Sequence, residues 1–165
     1  MGKPGWLNDD SAGELGERFR ALMNDGAEPP ESPVGWEEAG VKLAAMLIDE
    51  QREVIDPLMR MILVRQIGAY VGELLRRECG GHWLALEDGS PSLQLANQLT
   101  LNPLALVERH FDDGNGADIH AVYRLYRALG TLSGAELAAL GRGELKLEER
   151  FPELKGLATL DTSQG

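Results

Sequence analysis

Cysteine is nearly missing from this chain. Cys79 stands alone in 165 residues, which rules out an internal disulfide framework and suits a reducing compartment. Uninterrupted apolar runs are missing too. The most apolar segment, PLMRMILVRQIGAYVGELL, carries Arg60, Arg65, Gln66 and Glu73, and a central arginine costs roughly 2.5 kcal/mol or more in a bilayer. It reads as a buried core helix, and no membrane contact is expected. No basic start followed by an apolar stretch opens the sequence, since MGKPGWLNDD turns polar and acidic within ten residues. Export by a standard signal is therefore not expected, and the expected location is cytoplasmic.

Positive charge is the third scarcity. The net charge is −11, and it is unevenly spread. Residues 1–56 hold thirteen acids against five bases, residues 57–111 five against five, and residues 112–165 nine against six. Nucleic acid rewards a basic face through counterion release, as an anionic membrane rewards it by attraction, so neither is an expected partner. A basic protein is.

The 165 residues, 18.0 kDa, fit one domain able to bury roughly 70% of the surface its unfolded form exposes. The chain divides into an acidic segment 1–33 with one short helix and a linker, a domain over 34–150, and a tail over 151–165. Ser11 to Glu14 forms a capping-box pattern ahead of Leu15, Phe19, Leu22 and Met23. DGAEPPESP at 25–33 reads as the linker. Ser32 and Pro33 then predict a helix over about 34–55, with Trp36, Leu43, Met46, Leu47, Val54 and Ile55 near one stripe. Asp56 and Pro57 open a second helix that runs to about residue 78 and stops at Gly80 and Gly81. Because it is apolar almost all round between Leu58 and Leu75, it should be enclosed at the centre of the fold.

The period then changes. HWLAL, the turn EDGSPS and LQLANQLTL predict two or three short antiparallel strands, a meander over about 82–101. Asn102 and Pro103 begin a helix to Phe111, and a further helix is expected over 117–129. Ser133 to Glu136 is a second capping box. The expected class is α+β: a mostly helical single domain whose meander packs on the central helix 57–78.

Gly68 and Gly72 precede the strands, whereas phosphate-binding glycine loops follow a strand and open a helix. They read as close-approach positions on one helix face. Cys79 and His82 make half a zinc site and no more, because His110 and His120 have no cysteine near them. DDGNGADIH lacks the closing acidic ligand of a calcium loop, Arg124 standing in its place. No metal or cofactor is expected, and no catalytic set is named.

Glu73 would serve as a general acid or base if the central helix lined a pocket. An ion pair with Arg76 or Arg77, at helical spacing, is the simpler reading. Tyr123, Tyr126 and Trp83 would form a binding wall or, more simply, core.

Over about 45 residues, IGAYVGELLRRECGGHWLALEDG to LQLANQLTLNPLALVERHF, the chain resembles a family of small uncharacterised bacterial domains. Their pattern is matched by Gly68, Tyr70, Gly72, Glu73, Arg76, Gly80, Gly81, Trp83, Asn102 and Pro103. The resemblance implies the order helix, hairpin, helix, and imports no chemistry.

Three functional readings follow. The first is an acidic protein-interaction module, inhibitory or immunity-like, whose partner face includes Glu37, Glu38, Asp49 and Glu50. The second is a ligand-binding or enzymatic domain with a pocket between the central helix and the meander, drawing on Tyr70, Glu73, His82, Trp83 and His110. The third is a structural homodimer joined through helix 34–55. A non-enzymatic role is the stronger expectation.

Overall fold

In the computed structural model the described residues are 6–26, 33–114 and 118–154. At their centre lies α3, Pro57–Cys79. The sequence starts it as expected: the Asp56 side chain accepts the Met59 N–H at 3.0 Å and Pro57 takes the first turn, where its missing N–H costs nothing. Arg76 and Arg77 complement the dipole of its last turn, and Gly80, at φ 77°, ends it. Every residue of α3 from Ile67 to Leu75 is buried.

Around α3 pack α1 (Asp9–Asn24), α4 (Pro103–Asp113) and α5 (Ile119–Gly130), with α1 making the most extensive contact, while α2 (Glu38–Gln51) packs on α5 and α4 and meets α3 where Gly40 receives Tyr70. The three-stranded antiparallel sheet covers the C-terminal half of α3: β1 (Gly81–Ala85), β2 (Pro91–Leu95) and β3 (Thr100–Leu101), in that spatial order. Trp83 pairs with Leu93, which pairs with Leu101, so these three share the inner face. Asp88 closes the β1–β2 turn by accepting from the Ser90 N–H and hydroxyl. A smaller apolar cluster of Leu125, Ala128, Leu132, Leu147 and Leu154 joins α5 to α6 (Gly134–Gly141), α7 (Leu147–Arg150) and a 3-10 turn at Pro152–Leu154.

The glycines allow close approach. A Cβ on Gly68 would press on Leu104 of α4, and one on Gly72 would overlap the Trp83 indole and Pro103. The class is thus α+β and mostly helical, and no described helix is long and apolar enough to cross a membrane.

Three expectations need correction. The first helix begins at Asp9, not after Ser11: Asn8 is the cap, and Ser11 supplies the reciprocal bond of the box. It docks fully, with Leu7, Ala12 and Phe19 buried. The second helix, Glu38–Gln51, is shorter than 34–55 at both ends: residues 33–37 run outside it, with a bend at 36–37, and clip α1, and residues 52–54 form a turn. Val34 donates its N–H to the Asn24 side chain at 2.7 Å, and its carbonyl accepts from Arg20 Nε at 2.9 Å. Thirdly, α3 is not enclosed along its whole length, since Leu58, Met59 and Met61 are exposed. Most of the expected linker at 25–33 and of the tail at 151–165 lies outside the described residues.

Candidate functional site

Glu73 is the buried carboxylate of the fold, at 1% exposure. Helical spacing brings Arg76 and Arg77 to it: Oε1 accepts from Arg76 Nε at 2.5 Å, Oε2 from Arg76 Nη2 at 3.1 Å, and Arg77 Nε lies 3.5 Å from Oε2. The strand adds a further donor. Trp83, lying on Gly72, donates its indole N–H to Oε1 at 3.1 Å. A carboxylate so surrounded is a structural post joining α3 to β1.

Beside it, the first turn of α1 reaches β1. Asp9 Oδ1 accepts the Trp83 backbone N–H at 2.9 Å, while Oδ2 lies 3.0 Å from His82 Nδ1. Burial pushes the Asp9 carboxyl upward, but the Trp83 N–H, His82 and Arg76 outweigh it and hold the group below the usual carboxylate range. His82 is otherwise exposed.

Tyr70 lies one turn back along α3, and Arg77 links it to Glu73 through Trp36. Its hydroxyl proton is shared between the carbonyls of Gly35 at 2.7 Å and Glu37 at 2.9 Å, and its oxygen accepts the Glu37 N–H at 3.2 Å. Trp36 stacks on its ring at 5.0 Å, and the Arg77 guanidinium covers Trp36 at 3.8 Å from the ring centroid. Burial, chiefly, raises the Tyr70 phenol above its ordinary range.

His110 is elsewhere again. From α4 its Nδ1 accepts the Ile119 N–H at 3.2 Å, and its Nε2 lies 2.8 Å from Asp49 Oδ1 of α2. The pairing places the ring proton on Nε2, and one orphan donor at the start of α5 is satisfied. The five pocket candidates therefore fall into two places: Tyr70, Glu73, His82 and Trp83 around α3, and His110 between α2, α4 and α5. Each of the five has a partner within the chain.

The four acids expected on a partner face divide in the same way. Glu38 holds Arg127 at 2.8 Å and lies 3.4 Å from His120, and Asp49 holds His110. Glu37 faces its own turn, its Oε1 3.4 Å from the Gly35 N–H. Glu50 is exposed, with no ion pair among the described residues.

The sequence carries no signal for the exposed apolar residues that flank Glu50 along the chain. Met46 on α2, Val54 in the connection, and Leu58, Met59 and Met61 on α3 are all exposed, Val54 at 77% and Leu58 at 62%. In the sequence they continue the apolar stripes of their helices and look like core.

Cys79 and His82 do not converge. The thiol faces the Arg127 carbonyl at 3.8 Å, and His82 faces Asp9. Among the described residues no group of three or more His, Cys, Asp or Glu side chains is placed to hold a metal ion. The calcium-like segment 112–120 lies partly outside the described residues. Comparison with models of protein families, with curated proteins and with solved structures finds no match to this chain.

Proposed function

We propose that this protein is an acidic interaction module that docks a basic partner bearing an apolar face through the α2–α3 corner. The observation that carries the reading is that Met46, Val54, Leu58, Met59 and Met61 are all exposed within the sixteen consecutive residues 46–61, with the exposed acids Glu50 and Glu53 between them. Large apolar side chains left in water over one stretch of chain are candidates for an interaction surface. Methionine adapts its shape to a partner at small cost, and the carboxylates speed encounter with a basic surface. Inhibition of a basic enzyme is one instance of this chemistry.

The test is recovery from native lysate at about 50 and about 300 mM salt, which brackets the screening of exposed charges. The unaltered chain should retain one stoichiometric basic protein, more weakly at the higher salt. Val54→Asp with Leu58→Asp should lose it at both. Retention unchanged by that pair of substitutions would overturn the reading. So would a dimer of the chain that the same pair dissolves, because the face would then belong to a second copy.

A further inference from the structure

Far from that corner, a cavity of about 180 Å³ opens between the C-terminal turn of α3, the outer side of α5 and residues 151–154. Its floor and wall are apolar: Ala128, Phe151 and Leu154. At its rim stand a guanidinium, Arg124, and a carboxylate, Glu153, contributed by different elements. Neither forms a hydrogen bond or a close ion pair with another described residue, although the Arg124 guanidinium contributes to the field that holds the Glu38 carboxyl low. The remaining charges on the rim are already engaged, Arg127 by Glu38 at 2.8 Å and Glu78 by the Tyr123 hydroxyl at 2.8 Å.

From size, lining and charge together, we infer that this cavity binds a small zwitterion, a free amino acid with an apolar side chain. Drug-sized ligands occupy roughly 300–1,000 Å³, while about 150 Å³ suffices for benzene, so this volume suits a molecule of fewer than ten or so heavy atoms. One cation and one anion, neither in a direct hydrogen bond with another described residue, beside an apolar floor match a carboxylate, an ammonium and a short hydrocarbon chain. A ligand carrying only one charge would leave the other rim group without a counter-charge.

The experiment is titration of the 165-residue chain, followed by the backbone resonances of the cavity residues, with L-leucine, L-valine and L-methionine. Two fragments of leucine, 4-methylpentanoate and 3-methylbutylamine, serve as half-charged probes. At least one amino acid should bind in the millimolar range, and each fragment should bind about tenfold more weakly. Arg124→Gln and Glu153→Gln should each cost a similar factor without loss of the folded spectrum, since neither side chain supports another residue. The inference is overturned if none of the amino acids perturbs those resonances at about 20 mM, if the fragments match the intact amino acid, or if Arg124→Gln binds like the unaltered chain. Neither substitution touches the α2–α3 corner, so the two proposals stand or fall separately.

Discussion

The hydroxyl of Tyr70 fills the notch that Gly40 leaves on α2: a Cβ at position 40 would overlap that oxygen and the ring carbon that bears it. The notch lets one phenol hold the carbonyls of Gly35 and Glu37 and the N–H of Glu37, anchoring the start of α2 to α3.

Gly40→Ala should therefore destabilise the protein by about 3 kcal/mol or more, as overpacking of a rigid core does. Tyr70→Phe leaves the Glu37 N–H without its acceptor and should cost about 1–3 kcal/mol. Because both act on one contact, urea unfolding of the double variant should give less than the sum. A strictly additive result would show that the hydroxyl is not what Gly40 accommodates.

At the Glu73 post, Trp83→Phe deletes one donor to a buried carboxylate and should cost about 2 kcal/mol. Glu73→Leu should cost more, about 3–5 kcal/mol, since it strips Arg76 of a partner that grips it twice. If Glu73→Leu proved neutral in chemical denaturation, the post would be a dispensable feature of the core.

Acid should loosen the α1–β1 link. The Asp9 carboxyl lies lower in the folded chain than in the unfolded one, so its contribution is complete above about pH 4 and fades as pH falls through the folded value. Asp9→Asn should be less stable than the unaltered protein at pH 7, and the gap in melting temperature should close toward pH 3. A gap constant over that range would separate Asp9 from the acid response. The effect should be modest, because the side chain remains more than a third exposed.

Cys79 should be a sluggish nucleophile. Burial and then the neighbouring Glu78 raise its thiol above the ordinary range, reducing the thiolate available at neutral pH. Alkylation of the native protein at pH 8 should be slower than that of the same chain in urea, and equal rates would contradict this placement. Gly130→Ala, whose Cβ would come within 2.5 Å of the Cys79 sulfur, should shift the thiol and quicken the reaction.

The starts of α3, α4 and α6 were legible because each is written in adjacent residues: Asp56–Pro57, Asn102–Pro103 and the Ser133–Glu136 box. The start of α2 was misplaced for a physical reason. Val34 and Trp36 carry helical periodicity, but their packing on α1 keeps them out of the helix. The Arg76 and Arg77 grip on Glu73 could be read from spacing of three and four. Trp83 on Glu73, Asp9 on the Trp83 backbone and Asp49 on His110 span 10, 74 and 61 positions, and no local pattern encodes them. Nor does hydropathy distinguish Leu58 from Leu75; only the absence of a covering element does.

All three tryptophans sit where α1 and its flanks meet the rest of the molecule. Trp6, two residues before the cap, lies under Arg65 of α3; Trp36 fills the space left by Gly16 of α1; and the Trp83 backbone is held by Asp9. Two of the indoles, Trp6 and Trp36, consequently report on α1 and its flanks, while the Trp83 ring rests on Gly72 and Glu73 of α3. Release of α1 would alter the emission of the first pair and leave the Trp83 indole in place, so emission and circular dichroism recorded on one sample would distinguish peeling of the amino-terminal helix from collapse of the whole.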